Sequence, residues 1–207
     1  MKNTLIFDFD GTLYDSYEGV MLAFNQSSVQ LFKEENLLNR CQIGPKLKDL
    51  YLKAFENRYL DYFSKFEDLF RQKYDHEYYK IGQLYEGVEE LLDFFYEQGY
   101  EMYIVSNKPQ KILLKTVEEL KLTKFFKSIV GSDNDGNKIE KLNRIIESYI
   151  MNKEICFVLG DTIEDFDMAK SNNCIFIHAK YGYGQINESC ISIDSIQDLK
   201  EIIIFYK

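Results

Sequence analysis

The sequence has few of the residues that build a zinc site or a disulfide framework. Its 207 residues include two histidines and four cysteines, and no cysteine pair has the C-x-x-C spacing of a zinc site. Unpaired cysteines of this kind are typical of a reducing compartment. Only a short apolar run, Leu5-Ile6-Phe7, precedes Asp8, and no apolar run approaches the length that spans a bilayer. These absences predict a cytoplasmic protein without a signal peptide.

Basic residues are also in deficit. The chain has 25 Lys and Arg residues against 34 Asp and Glu residues, a net charge of −9. This balance argues against nucleic acid or an anionic membrane surface as a partner. An acidic protein that handles an anionic substrate has to create positive potential locally, from a metal ion and a few lysines. The length is sufficient for one or two compact units with a hydrophobic core.

Short apolar runs alternate with helical patterns through most of the chain. Strands are predicted at about 4–9, 102–105, 129–130, 155–159, 174–177 and 191–193. Helices are predicted between them, at about 87–99, 109–121, 138–150 and 166–172, with a last helix capped by Ser195. This alternation predicts an α/β fold with a parallel sheet, helices on both faces and right-handed crossovers.

A helical segment interrupts this alternation after the first strand. Helices are predicted over about 17–35 and from near Lys46, and an aromatic stripe follows with steps of three and four residues, which predicts a helix over 55–74. The stripe consists of Phe55, Tyr59, Tyr62, Phe66, Phe70 and Tyr74. A nucleotide-stacking surface is one interpretation, but so long and regular a stripe favours the core of a helix bundle. We therefore expect a helical cap, 16–83, inserted into a core formed by 1–15 and 84–207.

Two carboxylates close the first strand. Asp8 and Asp10 are two positions apart, so both side chains can reach one small volume beyond the strand end. A strand closed by a simple Asp-Gly turn would have the same sequence. Two carboxylates held close together favour a cation between them, and a hard divalent ion such as Mg²⁺ suits oxygen ligands.

Polar residues follow the later strands as well. Ser106 comes after the second predicted strand, and Asp161 and Asp165 come after the fourth. In open parallel sheets, ligands bind outside the carboxyl ends of the strands, so these side chains are expected to meet Asp8 and Asp10 at one edge. Carboxylates with a hydroxyl and a lysine form a magnesium and phosphate site.

The motifs resemble those of a known superfamily. Asp8-Phe9-Asp10-Gly11-Thr12 is similar to the first motif of the haloacid dehalogenase-like superfamily, Ser106 to its second, and Gly160-Asp161-Thr162-Ile163-Glu164-Asp165 to its fourth. Lys138 and Lys141 both lie where the third motif places a lysine, and Lys138 is the better match. Ile43-Gly44-Pro45-Lys46-Leu47 and Tyr181-Gly182-Tyr183-Gly184 also resemble segments of the phosphoglycolate phosphatase-like branch.

The resemblance implies a Rossmann-like three-layer core with an inserted α-helical cap, and it implies roles for the acidic residues. Asp8 is expected to be the nucleophile that attacks phosphorus, and Asp10 the general acid and base. Mg²⁺ is expected to bind the Asp8 carboxylate, the backbone carbonyl of Asp10, Asp161 and Asp165.

The resemblance also implies a set of phosphate-binding groups. Ser106 is expected to donate a hydrogen bond to a phosphoryl oxygen, and Lys138 to neutralise another. Backbone amides near Gly11, Thr12 and Asn107 are further candidate donors.

The implied function is a magnesium-dependent phosphatase that hydrolyses a small phosphomonoester, such as phosphoglycolate, through an aspartyl-phosphate. Alternatives on the same core are a phosphosugar mutase, a 5'-nucleotidase and a pyrophosphatase. An alternative of another class is a catalytically silent binding or regulatory protein, but such proteins commonly lose a key carboxylate, and none is missing here. The oligomeric state is not predicted.

Three features near these motifs are given other roles. Lys108 is predicted to be a solvated lysine, and 181–184 to be a plain surface loop. Lys46 is a candidate contact for a substrate carboxylate. The same segment offers other cations: Lys48, Lys53, Arg58 and Arg71.

Overall fold

The computed structural model describes residues 4–56, 58–132, 137–149 and 155–206, and its centre is a six-stranded parallel sheet. The strand order is β5-β4-β1-β6-β7-β8. The strands are β1 (Thr4–Phe7), β4 (Glu101–Pro109), β5 (Phe126–Ser132), β6 (Cys156–Gly160), β7 (Ile175–Ala179) and β8 (Ile191–Ile193). Two short strands, β2 (Tyr14–Asp15) and β3 (Gln83–Leu84), form a separate two-stranded sheet. The predicted α/β fold class is confirmed, and β4 and β5 are longer than the sequence pattern suggested.

Helices cover both faces of this sheet. They are α4 (Val88–Glu97), α5 (Gln110–Glu119), α6 (Lys138–Tyr149), α7 (Ile163–Ser171) and α8 (Leu199–Phe205). Successive β1 residues supply both hydrophobic layers, since Leu5 and Phe7 pack with α4, α5 and α8 while Ile6 packs with α6 and α7. None of the helices within the described ranges has the length and apolar character needed to cross a membrane.

The register of the sheet brings the strand ends level with one another. Phe7 pairs with Ile104 on one side and with Leu159 on the other. Asp8 therefore emerges just past Ile104 of β4 and Leu159 of β6, and its backbone N–H still donates to the carbonyl of Leu159 at 2.9 Å. Ser106 lies two residues beyond Ile104 in β4, and Asp161 directly follows β6, so the sheet delivers all three residues to one edge.

Three further helices enclose a hydrophobic core of their own. They are α1 (Tyr17–Phe32), α2 (Leu47–Ala54) and α3 (Phe63–Tyr74). The buried members of this core are Ala23, Phe24, Leu38, Leu50, Tyr51, Phe55, Phe66, Phe70, Tyr74, Tyr79 and Ile112. All but Ile112 come from the segment predicted to be a cap. The division of the chain at 15/16 and 83/84 stays a prediction.

Five of the six stripe residues pack in this core and Tyr62 is 47% exposed, while the prediction of a continuous helix over 55–74 is wrong. Regular α-helix begins only at Phe63, and Phe55 and Tyr59 lie in the connection from α2. The cause is local, because Glu56 has a φ of +50°, a left-handed backbone that an α-helix cannot include. Phe55 is nevertheless completely buried, since the connection folds back onto Phe24 and Phe66.

A two-stranded antiparallel ribbon lies where the chain passes from the sheet to α1–α3 and back, and the sequence patterns gave no sign of it. β2 (Tyr14–Asp15) pairs in antiparallel fashion with β3 (Gln83–Leu84). The two segments that connect α1–α3 to the sheet therefore lie side by side.

Phe55→Ala is expected to lower the free energy of unfolding by about 3–5 kcal/mol, because it leaves a cavity in the core of α1–α3. Denaturant unfolding measures this. Leu60→Ala is the matched control, because Leu60 is 58% exposed and its loss should change stability by no more than about 0.5 kcal/mol. Equal effects of the two substitutions would contradict the packing of Phe55.

Candidate active site

Asp8 is the first residue after β1. Its side chain is almost fully buried, and Oδ1 accepts a hydrogen bond from Lys138 Nζ at 2.8 Å. The other oxygen, Oδ2, accepts no hydrogen bond from any residue of the described ranges. Burial raises the pKa of Asp8 well above its ordinary value; Lys138 opposes this effect, and the carboxylates of Asp165 and Asp161 add to it.

Lys138 is the cation at the centre of this cluster. It is the first residue of α6, and its Nζ also contacts Asp165 Oδ1 at 2.7 Å. Burial disfavours its ammonium form, but Asp165 and Asp8 outweigh this effect and raise the pKa of Lys138 above its usual range. Lys141 lies one turn further along α6 and donates instead to the backbone carbonyl of Ser106 at 3.1 Å. Of the two lysines that the sequence left open, Lys138 is the one in contact with Asp8.

Asp161 is held by hydrogen bonds from two loops. The backbone N–H groups of Tyr183 and Gly184 donate to Oδ2 at 2.8 and 3.2 Å, and the Thr12 hydroxyl donates to Oδ1 at 3.3 Å. Burial and the negative charge of Asp165 raise the pKa of Asp161 to about 6.

Asp165 has two roles in the structure. Oδ1 pairs with Lys138, while Oδ2 accepts from the backbone N–H of Thr162 at 3.1 Å and from its hydroxyl at 2.6 Å. Thr162 is the N-cap of α7 and Asp165 the N3 residue of a capping box, so this carboxylate stabilises the helix start and points into the site at once.

The carboxylates of Asp8, Asp161 and Asp165 fit a divalent cation. One oxygen of each lies within 4.8 Å of the others, and all three side chains are buried. Lys138 supplies one positive charge against three negative ones. Hard oxygen donors with an excess negative charge are what Mg²⁺ and similar ions bind.

The side chain of Asp10 contacts Lys108 and is not part of the three-carboxylate cluster. The prediction that Lys108 is solvated is wrong. Lys108 is only 5% exposed, and its Nζ donates to both oxygens of Asp10, at 2.9 and 3.2 Å. The hydroxyl of Tyr74 accepts a third hydrogen bond at 2.7 Å. Burial works against the ammonium, yet Asp10 and Tyr74 raise the pKa of Lys108 above its usual range.

The residues just after β1 and in the last part of β4 lie at the same edge of the sheet, but they differ in which hydrogen-bonding groups remain available. Ser106 Oγ accepts from the backbone N–H of Lys108 at 3.1 Å, which leaves its O–H available. The side-chain amide of Asn107 donates to Glu164 at 2.7 Å. The backbone N–H groups of Gly11 and Thr12 donate within the turn, to the carbonyls of Tyr14 and Phe9. Phosphate binding by Gly11, Thr12 and Asn107 stays a prediction.

The prediction that 181–184 is a plain surface loop is also wrong. Besides the two N–H donors to Asp161, its Tyr183 hydroxyl accepts from the backbone N–H of Ser16 at 2.7 Å. A side chain at Gly182 would bring its Cβ within 2.4 Å of Asp161 Cβ, so only glycine allows this approach. Gly11, with a φ of +87°, also packs against Asp161, since a Cβ there would lie 2.5 Å from Asp161 Oδ2.

The sequence matches the family described as haloacid dehalogenase-like hydrolase over residues 5–179. The chain belongs to this family. The match spans the region from β1 to β7, which includes every residue of the acidic cluster.

Curated proteins similar to this haloacid dehalogenase-like hydrolase are named for three activities. A 5'-nucleotidase of Pseudomonas aeruginosa is 27% identical, with 89% of this chain and 85% of the relative covered. A phosphoglycolate phosphatase of Vibrio parahaemolyticus is 26% identical, covering 96% and 95%. A pyrophosphatase of Listeria welshimeri is 26% identical, covering 81% and 78%. The chain is thus an enzyme of the phosphatase type within this family.

Solved structures share the whole fold. A predicted phosphatase from Clostridium acetobutylicum superimposes with a TM-score of 0.88 at 24% identity, covering 99% of both chains. A haloacid dehalogenase-like family hydrolase from Streptococcus pneumoniae gives 0.86 at 20% identity, covering 100% of this chain and 99% of the other.

In this hydrolase a cavity of about 100 Å³ lies above Asp10, between the sheet edge and α1–α3. Asp10 and Lys108 line it from below, and Lys46 and Arg71 line it from the helical side. Its apolar wall consists of Val20, Ile43, Leu47, Leu50 and Phe70.

Asp161→Asn is expected to be more stable than the parent protein above pH 6 when divalent ions are chelated. The folded pKa of Asp161, about 6, is higher than the ordinary 3.8, so its contribution to stability is present below pH 4 and is lost as the pH rises through 6. Asparagine stays neutral and avoids this loss, on the order of 1–3 kcal/mol. Its carbonyl can still accept from the two backbone N–H groups.

Thermal unfolding between pH 4 and 8, with chelator and with Mg²⁺, measures this difference. Mg²⁺ should stabilise the parent at pH 7.5 and have little effect on the variant, because a ligand that binds only the folded state raises stability. Asp194→Asn, at an exposed position, should follow the parent in both conditions. A variant no more stable than the parent in chelator would contradict the crowding of negative charge around Asp161.

Proposed function

We propose that this protein is a magnesium-dependent phosphatase that hydrolyses small phosphomonoesters through an aspartyl-phosphate on Asp8. The observation that carries this proposal is the convergence of Asp8, Asp161 and Asp165 around Lys138.

Asp8 is the nucleophile in this proposal. Lys138 holds one of its oxygens, and the other is free to attack phosphorus. As the new P–O bond forms, the bond from phosphorus to the ester oxygen breaks, and Asp10 gives its proton to that oxygen. Asp10 then takes a proton from a water molecule that attacks the aspartyl-phosphate, which releases inorganic phosphate and restores Asp8.

The phosphoryl oxygens are bound by groups at the same edge of the sheet. Ser106 donates its free O–H to one oxygen, and Lys138 contributes positive charge to another. Two N–H donors from Tyr183 and Gly184 keep Asp161 in place, so these residues preserve the site without touching phosphate.

Mg²⁺ would be held by the carboxylates of Asp8, Asp161 and Asp165 together with the backbone carbonyl of Asp10. When bound, it supplies positive charge that offsets the repulsion between a carboxylate nucleophile and an anionic phosphoryl group. The buried carboxylates with a single lysine fit this ion, as described above.

The cavity favours a small leaving group. A volume of about 100 Å³ accommodates a few non-hydrogen atoms, and the cations of Lys46 and Arg71 face it. Phosphoglycolate or another short organic phosphate is therefore the proposed substrate, in keeping with the names of several relatives. A 5'-nucleotidase, a pyrophosphatase and a phosphosugar mutase are the alternatives on the same core, and the first two also occur among the relatives' names.

Asp8→Asn is expected to lower the hydrolysis of an aryl phosphate by at least about a thousandfold, because an amide cannot form the aspartyl-phosphate. Phosphate release measures the loss. Circular dichroism should show an unchanged fold, since asparagine fits the same space. Asp93→Asn, at an exposed site on α4, is the matched control and should keep full activity. If Asp8→Asn keeps most of the activity, Asp8 is not the nucleophile.

A panel of phosphorylated compounds should separate the candidate substrates. Short phosphomonoesters are expected to be hydrolysed with higher kcat/KM than nucleotides or pyrophosphate, because of the small cavity, and chelator should abolish phosphate release from all of them. Product analysis with a hexose phosphate tests for a mutase. Phosphate release that chelator does not reduce would contradict magnesium dependence, and the absence of release from every compound would favour the silent binding protein.

A further inference from the structure

Lys108 is a buried cation that the proposed reaction does not use. It lies at the end of β4, and its ammonium contacts three acceptor atoms: both oxygens of Asp10 and the hydroxyl of Tyr74. Its side chain is 3% exposed, whereas that of Asp10 is 21% exposed.

Aromatic rings surround the ammonium of Lys108. Its Nζ lies 4.9 Å from the ring centre of Tyr74, 5.8 Å from that of Phe9 and 5.9 Å from that of Tyr14. The rings favour a cation electrostatically but leave it little water. A buried charge in such a place has to be compensated by a partner, and the carboxylate of Asp10 provides that compensation.

We propose that Lys108 is a positioning residue that fixes the side chain of Asp10 for proton transfer, and that Tyr74 fixes Lys108. This inference rests on the proposed function, in which Asp10 is the general acid and base. It assigns no bond making or breaking to Lys108 itself.

The geometry explains how one group can hold Asp10 in both of its protonation states. Ionised Asp10 accepts hydrogen bonds from Lys108 at both oxygens. Protonated Asp10 still offers one oxygen as an acceptor to Lys108, and its O–H can point to the ester oxygen of the substrate. Without Lys108, a partly exposed side chain just past the end of a strand is free to change rotamer. An acid displaced by about an ångström transfers its proton far less effectively.

Tyr74 extends this arrangement to the helices. It is the last residue of α3 and belongs to the hydrophobic core of α1–α3, while Lys108 lies at the end of β4 and Asp10 follows β1 of the central sheet. Lys108 has its third acceptor only while α3 lies against the end of β4. The orientation of Asp10 therefore depends on contact between the helices and the sheet.

The dependence of the rate on the leaving group tests this role. An alkyl phosphate needs a proton on its departing oxygen, whereas the leaving group of 2,4-dinitrophenyl phosphate departs as the stable 2,4-dinitrophenolate anion. Since kcat/KM includes only steps up to release of the alcohol or phenol, later hydrolysis of the aspartyl-phosphate does not enter it. Loss of a positioned acid should therefore lower kcat/KM for the alkyl ester selectively.

The variants are Lys108→Met, Tyr74→Phe and, as reference, Asp10→Asn. Lys108→Met is expected to lower kcat/KM for ethyl phosphate at least about tenfold more than for 2,4-dinitrophenyl phosphate. Tyr74→Phe should give the same selectivity with a smaller loss, and Asp10→Asn the same selectivity with a larger one. Adding Lys108→Met to Asp10→Asn should cause little further loss, because both act on the same proton transfer.

Matched controls come from the same chain. Lys111→Met and Tyr62→Phe make the same chemical changes at exposed positions on α5 and just before α3, and both should leave the two kcat/KM values unchanged. Activity towards 2,4-dinitrophenyl phosphate reports whether Lys108→Met is folded and still binds phosphate.

The outcomes separate this inference from the proposed function. Suppose that Asp10→Asn shows the leaving-group dependence, whereas Lys108→Met lowers kcat/KM equally for both substrates or changes it for neither. The positioning role is then overturned and the proposed function stands. A faster alkyl ester reaction in Lys108→Met would also overturn it. If Asp10→Asn itself shows no dependence on the leaving group, its acid role is wrong, and the inference falls with it.

Discussion

The site depends on the crowding of three buried carboxylates around one ammonium. Lys138 Nζ lies 2.8 Å from Asp8 and 2.7 Å from Asp165, and Asp161 shares the same small volume. At about 4 Å and an effective dielectric constant of about 20, each pair of like charges costs roughly 4 kcal/mol. By the same relation, the contacts of Lys138 with Asp8 and Asp165 contribute roughly 6 kcal/mol each, so they offset most of this repulsion but leave the cluster with a net negative charge. The three carboxylates carry more negative charge than Lys138 carries positive charge, and this excess favours a bound cation.

The fold holds this unfavourable arrangement in place with backbone groups rather than with further charges. Parallel strands deliver Asp8 and Asp161 side by side, and the capping box of α7 fixes Asp165. Two N–H groups of the 181–184 loop neutralise part of the Asp161 charge. Glycines at positions 11 and 182 allow both loops to approach this carboxylate more closely than any side chain would permit. The charge is therefore concentrated by elements whose own stability comes from the hydrophobic layers of the sheet.

Much of this could be predicted from the sequence, because it follows from regular geometry. The alternation of strands and helices predicts the parallel sheet, and polar residues after successive strands predict a common edge, which is where Asp8, Asp161 and Asp165 meet. Lys138 was expected there because the start of its helix resembles the third motif of the superfamily. What depends on contacts between distant segments was not predictable. Lys108 looks like any lysine after a strand, and nothing local indicates that Tyr74 and Asp10 enclose it.

The same limit explains the other differences. Six aromatic residues at helical spacing predicted one helix, but the left-handed backbone at Glu56 divides the segment. Five of the six rings still share one core. The antiparallel ribbon of β2 and β3 pairs residues about seventy positions apart, and two-residue strands carry no periodic signal. Tyr183 contributes a backbone N–H, a group that every residue except proline carries, so the type of residue gives no indication of it.

Crystals grown with Mn²⁺ in place of Mg²⁺, with diffraction data collected at the manganese absorption edge, test whether these carboxylates bind a single cation together. If they do, one strong anomalous peak is expected within about 2.0–2.3 Å of a carboxylate oxygen of Asp8 and one of Asp161, with Asp165 bound directly or through water. A peak that lies elsewhere, or Asp8 and Asp161 too far apart to share the ion, would contradict it.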